Sequence, residues 1–144
     1  MKPLHRLFSI ALAVAWTTNA AALDPSQTVA VTPLLKTTTS WNGQPLAWPT
    51  TGPAELTGLI VEIAPGGETG WHRHPVPSFG VITQGELEVD LKDGSTHRFH
   101  AGDPIAEVVD TWHNGRNVGS EPLKILVFYA GTVGQPLTVR ETAP

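Results

Sequence analysis

The sequence has no cysteine. That excludes disulfides and a lipid-modified cysteine, so stability has to come from core packing and from any metal the chain binds. It has no basic block: 9 Lys and Arg face 13 Asp and Glu, for a formal charge of −4. Nothing in it resembles the electrostatic footprint of a nucleic-acid binder. No apolar run reaches the ~20 residues that a membrane-spanning helix needs. No stretch shows the periodicity of an amphipathic helix of useful length.

What is present points to short strands. Fourteen glycines and thirteen prolines are spread along 144 residues, 40% of them hydrophobic. That length and apolar content suit one domain with a real core. Lys2 and Arg6, the apolar run Leu7 to Trp16 and Ala20-Ala21-Ala22 have the order of a secretory signal peptide, predicted over 1–22. Its removal makes the remainder more acidic by two charges and leaves no membrane span. The predicted location is periplasmic, in a Gram-negative cell, or secreted. Residues 23–54 read as an N-terminal arm, with Val29–Val31 as an edge strand and Trp41 and Trp48 as packing anchors. A barrel is expected over 55–144.

Within the barrel the strands alternate. Glu86-Leu87-Glu88-Val89-Asp90-Leu91 places its leucines and valine on one face and its acids on the other. Asp93-Gly94 is a hairpin turn before a return strand, Thr96 to His100. Phe79 to Thr83 and Ile105 to Val109 read as further strands, His113 as a loop residue, and Leu123 to Ala130 as a central strand. Turn signals recur about every ten residues, the pattern of an all-β sandwich or barrel.

His72 and His74 lie two apart on a strand, so both imidazoles project from one face and Arg73 from the other. Paired imidazoles suit Zn, Fe, Cu or Ni. Gly66, five residues, His72-Arg73-His74, three residues, Ser78, six residues and Gly85 resemble the first motif of the cupin superfamily. Gly102, then His113, then Asn117 resemble its second. The resemblance covers roughly residues 55 to 135. It implies a jelly-roll barrel, the cupin-type double-stranded β-helix, with His72, His74 and His113 as ligands of one divalent transition metal. Asn117 would be a structural residue of the turn that follows. Fe(II) is the favoured ion, with Zn, Mn, Ni or Cu as alternatives.

Three positions depart from the family pattern. Val108 replaces a proline, Asp110 a glycine and Ser78 the usual glutamate. Neutral serine is a poor ligand, so the resemblance implies a three-histidine centre with open positions and its full +2 charge, suited to an anionic or chelating ligand. Alternation of Ile105, Glu107 and Val109 would turn Glu107 inward, as the one candidate catalytic carboxylate. The bland alternative is a rim position satisfied by Arg98 or Arg116. Arg116 is also a candidate anchor for a substrate carboxylate, though a solvated arginine is the simpler reading. His97 and His100 are expected to be exposed. Phe79, Trp112, Phe128 and Tyr129 are read as packing residues, with one or two at a pocket mouth.

The functional expectation is an exported Fe(II)-type oxygenase acting on a small anionic or chelating organic compound. Its rivals are a metal-dependent isomerase or lyase and a metal-dependent binding or sensing module without turnover. A homodimer is expected, with the arm as the element that crosses to the partner.

Overall fold

The structure is a computed structural model in which residues 28–142 are described. The chain divides into two compact units, residues 1–32 and 33–144. Of the first, only residues 28–32 are described. They are exposed and form no strand, so the edge strand expected at Val29–Val31 is not there. The expected signal peptide lies outside the described residues.

The second unit is all-β. Its strands are β1 (Ala54–Ile63), β2 (His72–Arg73), β3 (Ser78–Gln84), β4 (Glu86–Leu91), β5 (Thr96–His100), β6 (Pro104–Ala106), β7 (His113–Asn117), β8 (Leu123–Thr132) and β9 (Val139–Arg140). They form two sheets, ordered β1-β8-β3-β6 and β5-β4-β7-β2-β9, with every pairing antiparallel. This is the expected jelly-roll architecture. Among the described residues no helix is long and apolar enough to cross a membrane.

Strand alternation builds the core. In β4, Leu87, Val89 and Leu91 are buried, as the pattern predicts. The acids on its other face are less exposed than expected, because Arg98 and Arg116 cover Glu88, and Arg116 also bonds Asp90 at 2.8 Å. β8 is central, pairing with β1 along ten residues and with β3 on its other side. Its Leu123 joins Ile63, Ile82, Leu87, Val89, Phe99 and Ile105 in one apolar cluster, and Val127 and Tyr129 join Val76 in a second. Truncating a fully buried member such as Leu123 to Ala would cost about 2–5 kcal/mol. Gly85 turns β3 into β4 at φ 81°, where a side chain would also meet the Leu123 backbone.

Two elements differ from the sequence expectation. His113 opens β7 instead of lying in a loop, because it pairs with both Leu91 and His72. β6 ends at Ala106, short of Val109. There the arm replaces a strand partner: Trp41 N–H donates to Ala106 O at 3.0 Å, Ser40 Oγ to Glu107 O at 2.8 Å, and the Gln44 amide bonds both Val109 N and O. Trp41 packs on Phe99 and His97 of its own barrel.

Candidate metal centre

Strands β2 and β7 bring the three histidines together. His72 lies opposite His113 across the β2–β7 pair, so both project from one face. His74 follows two residues on and points the same way, while Arg73 turns out to Asp110 and Trp112. All three imidazoles are buried, and one ring nitrogen from each lies within 4.8 Å of the others.

The second nitrogen of each ring is already used. His72 Nδ1 donates to Gly70 O, His74 Nδ1 to Leu137 O and His113 Nδ1 to Thr111 O, each at 2.8 Å. A backbone carbonyl can only accept, so each Nδ1 carries the proton, and each ring, when neutral, presents the lone pair of Nε2. His113 Nε2 is buried without a hydrogen-bond partner. A buried polar atom left unpaired is costly, and a cation held by three converging lone pairs removes that cost. The donor set therefore fits a divalent transition metal of the kind imidazole prefers.

Glu107 does turn inward. Its Oε2 lies 3.1 Å from His74 Nε2 and accepts from Ser78 Oγ, also at 3.1 Å. The rim alternative is not what the structure shows, since Arg98 and Arg116 are engaged with Glu88 and Asp90. Nor does Arg116 face the cavity as an anchor. Ser78 is 1% exposed. The three histidines are thus not alone, as the missing motif glutamate had implied: a carboxylate reaches His74 from the chain just beyond β6.

The electrostatics follow from burial and this pair. Burial pushes His72 down to about 4, aided by the neighbouring imidazoles and opposed by the Gly70 carbonyl. Burial likewise lowers His113. Burial acts against the charge of His74 too, but the hydrogen bond and charge of Glu107 outweigh it, and His74 sits above its ordinary value. Burial would raise Glu107, yet the hydrogen bond and charge of His74 bring it down to about 2. Tyr129, with its ring 5.1 Å from that of His74, is pushed up by burial and by the Glu107 charge.

The group opens into a cavity of about 190 Å³, small beside the ~300–1,000 Å³ of drug-sized sites. Leu59, Val61, Val89, Ile125, Val127 and Tyr129 wall it. His97 and His100 are exposed and take no part. Phe128 is 43% exposed on the outer face, and Phe79 packs against Trp48 with the rings tilted. Thr69, Thr138 and Arg140 also line the cavity, and sequence reasoning missed them. The only signal for the last two was a short Leu-Thr-Val-Arg alternation after the Gly134 turn.

Two antiparallel sheets closed around an inward-facing histidine cluster define a double-stranded β-helix protein with a metal-type pocket. Residues 59–129 match the family model described as the cupin domain, and this chain is a small cupin-domain protein. No curated protein matches it. Among solved structures, it is similar to an oxalate decarboxylase of Lactobacillus farciminis in a formate complex, at 28% identity and a TM-score of 0.52, over 59% of this chain and 26% of that one. It is similar to an oxalate oxidase at 24% identity and a TM-score of 0.50, over 59% of this chain and 45% of that one. A double-stranded β-helix protein of Klebsiella pneumoniae matches at 22% identity and a TM-score of 0.51, over 65% of this chain and 90% of that one. The chain thus spans about a quarter of the decarboxylase and under half of the oxidase.

Proposed function

We propose that this chain is an exported metal protein in which His72, His74 and His113 hold one divalent transition ion, Fe(II) first, and that it acts as an oxygenase on a small anionic or chelating compound. One observation carries the reading. Every Nδ1 is committed to a backbone carbonyl, and the Nε2 atoms converge on the cavity, that of His74 beside Glu107 Oε2 and that of His113 without any partner. A bound ion would supply the Lewis acidity, and with iron the redox chemistry, that the side chains lack.

The chain's own groups supply the rest. The aliphatic walls make the cavity less polar than water and strengthen the electrostatic interactions inside. Glu107, ionised and held by Ser78, is the acid–base group, placed to take a proton from a compound bound beside His74. The likeness to an oxalate decarboxylase favours a second reading, a lyase that cleaves a bound carboxylate. A binding or sensing module would share the site and show no turnover.

The test is the metal content of the purified protein together with oxygen uptake on loading with Fe(II). One ion per chain is expected, lost in His113→Ala because two imidazoles hold a divalent ion far less well than three. Unchanged metal content in that variant would overturn the assignment.

A further inference from the structure

Strand β9 brings a cation to the same cavity. It pairs with β2 so that Arg140 lies directly opposite His72, and His72 lies opposite His113 on its other side. Directly opposed residues share a face of the sheet, so His113, His72 and Arg140 form a row across β7, β2 and β9. Arg140 lines the cavity from the sheet's edge. Arg140 is exposed, and one of its N–H groups donates to Thr69 O at 2.8 Å.

The pairing of the other described arginines makes Arg140 distinct. Arg73 is bound to Asp110, Arg98 to Glu88, and Arg116 to Glu88 and Asp90. Among the described residues no carboxylate is paired with Arg140. Its sequence neighbour Glu141 bonds Lys92 instead, at 2.9 Å. A guanidinium has five N–H donors in a planar fork, and one bond to a carbonyl leaves most of them for a ligand. The cavity is therefore polarised: Glu107 is its acid, on the His74 side, Arg140 its cation, beside His72, and aliphatic side chains wall it.

We propose that Arg140 determines specificity in this cavity by taking the carboxylate of a small acid with an apolar body, through the fork geometry that matches a carboxylate. The inference deepens the proposed metal-dependent reading by naming the ligand class, but the Arg140 contact does not itself require the ion. Arg116, the arginine that the sequence suggested for this task, is on the wrong face.

The experiment compares isovalerate with isovaleramide, which have the same shape and differ in charge, by calorimetric titration of the full chain with and without zinc. Wild type is expected to bind the acid at least tenfold more tightly than the amide in both states. Arg140→Gln should lose that preference while retaining zinc, and Arg140→Lys, which restores charge without the fork, should recover only part of it. Equal binding of acid and amide by wild type, or a preference that survives in Arg140→Gln, would overturn the proposal. Failure of zinc to load would overturn the metal reading alone, because the preference is measured without zinc as well.

Discussion

Ser78 Oγ donates to Glu107 Oε2 at 3.1 Å, and Glu107 N–H donates to Ser78 O at 3.0 Å. The two residues are bound to each other through side chain and backbone, 29 positions apart in sequence. Where the cupin pattern has a glutamate, this chain has a small hydroxyl that leaves room for a carboxylate from the segment just beyond β6 and holds it. Ser40 fixes the same residue from the arm by bonding the Glu107 carbonyl.

The first prediction is an exchange of positions. Glu107→Ala should weaken zinc binding about 10–100-fold, the usual cost of losing a group that supports a metal ligand. Adding Ser78→Glu to that variant should restore most of the affinity, by returning the carboxylate to the motif position. Ser78→Glu alone should gain little. It sets two carboxylates in one buried space, where one must be protonated, and it should lower the melting temperature. A double variant that binds zinc no better than Glu107→Ala would show that the carboxylate at 107 has no role at the metal.

A second prediction concerns assembly. Leu56, Ile60, Leu126 and Phe128 are 37–70% exposed on the outer face of the four-stranded sheet. Cross-strand pairing, Ile60 with Leu126 and Gly58 with Phe128, makes them one patch. Only the Glu62–Lys124 pair at its end carries charge. A two-fold related copy offers the same uncharged face and is self-complementary to it. The protein is expected to sediment as a homodimer at micromolar concentration and Leu126→Glu as a monomer. A monomeric wild type would refute this.

Much of the fold was legible in the sequence because alternation survives wherever one face of a strand is buried. β4, β5 and β8 lie where the pattern puts them. The three histidines were legible because side chains two apart on a strand must share a face and because two motifs occurred in order. Asp110 stands where a glycine is usual in the cupin pattern. The structure gives the reason for glycine there, since φ is 50° at that residue. The early end of β6 could not be read, because its replacement partners, Ser40, Trp41 and Gln44, are more than sixty residues away. Arg140 could not be read either, because a two-residue strand has no periodicity and its importance comes from facing His72.

The last prediction is a pH window set by the pair Glu107 and His74 in metal-free protein. Glu107 falls from 4.5 to about 2 on folding, so the unfolded chain takes up its proton first as pH drops. The stabilisation from its charge is complete above about 4.5 and is lost as pH falls toward about 2. His74 moves the other way, above 6.5. Its contribution is complete below 6.5 and is lost as pH rises through the raised folded value. Both are present together between about 4.5 and 6.5. There, wild type should exceed Glu107→Gln by about 1–3 kcal/mol, an order-of-magnitude figure for one buried pair. The difference should shrink toward pH 2 and again above neutrality. The Glu107 charge also supports protonation of His72, whose value burial depresses to about 4, so the difference includes the loss of that coupling as well. Urea unfolding of both proteins from pH 3 to 9 with a chelator present provides the measurement. A difference that stays flat over that range would mean that Glu107 and His74 do not form an ion pair in the metal-free protein.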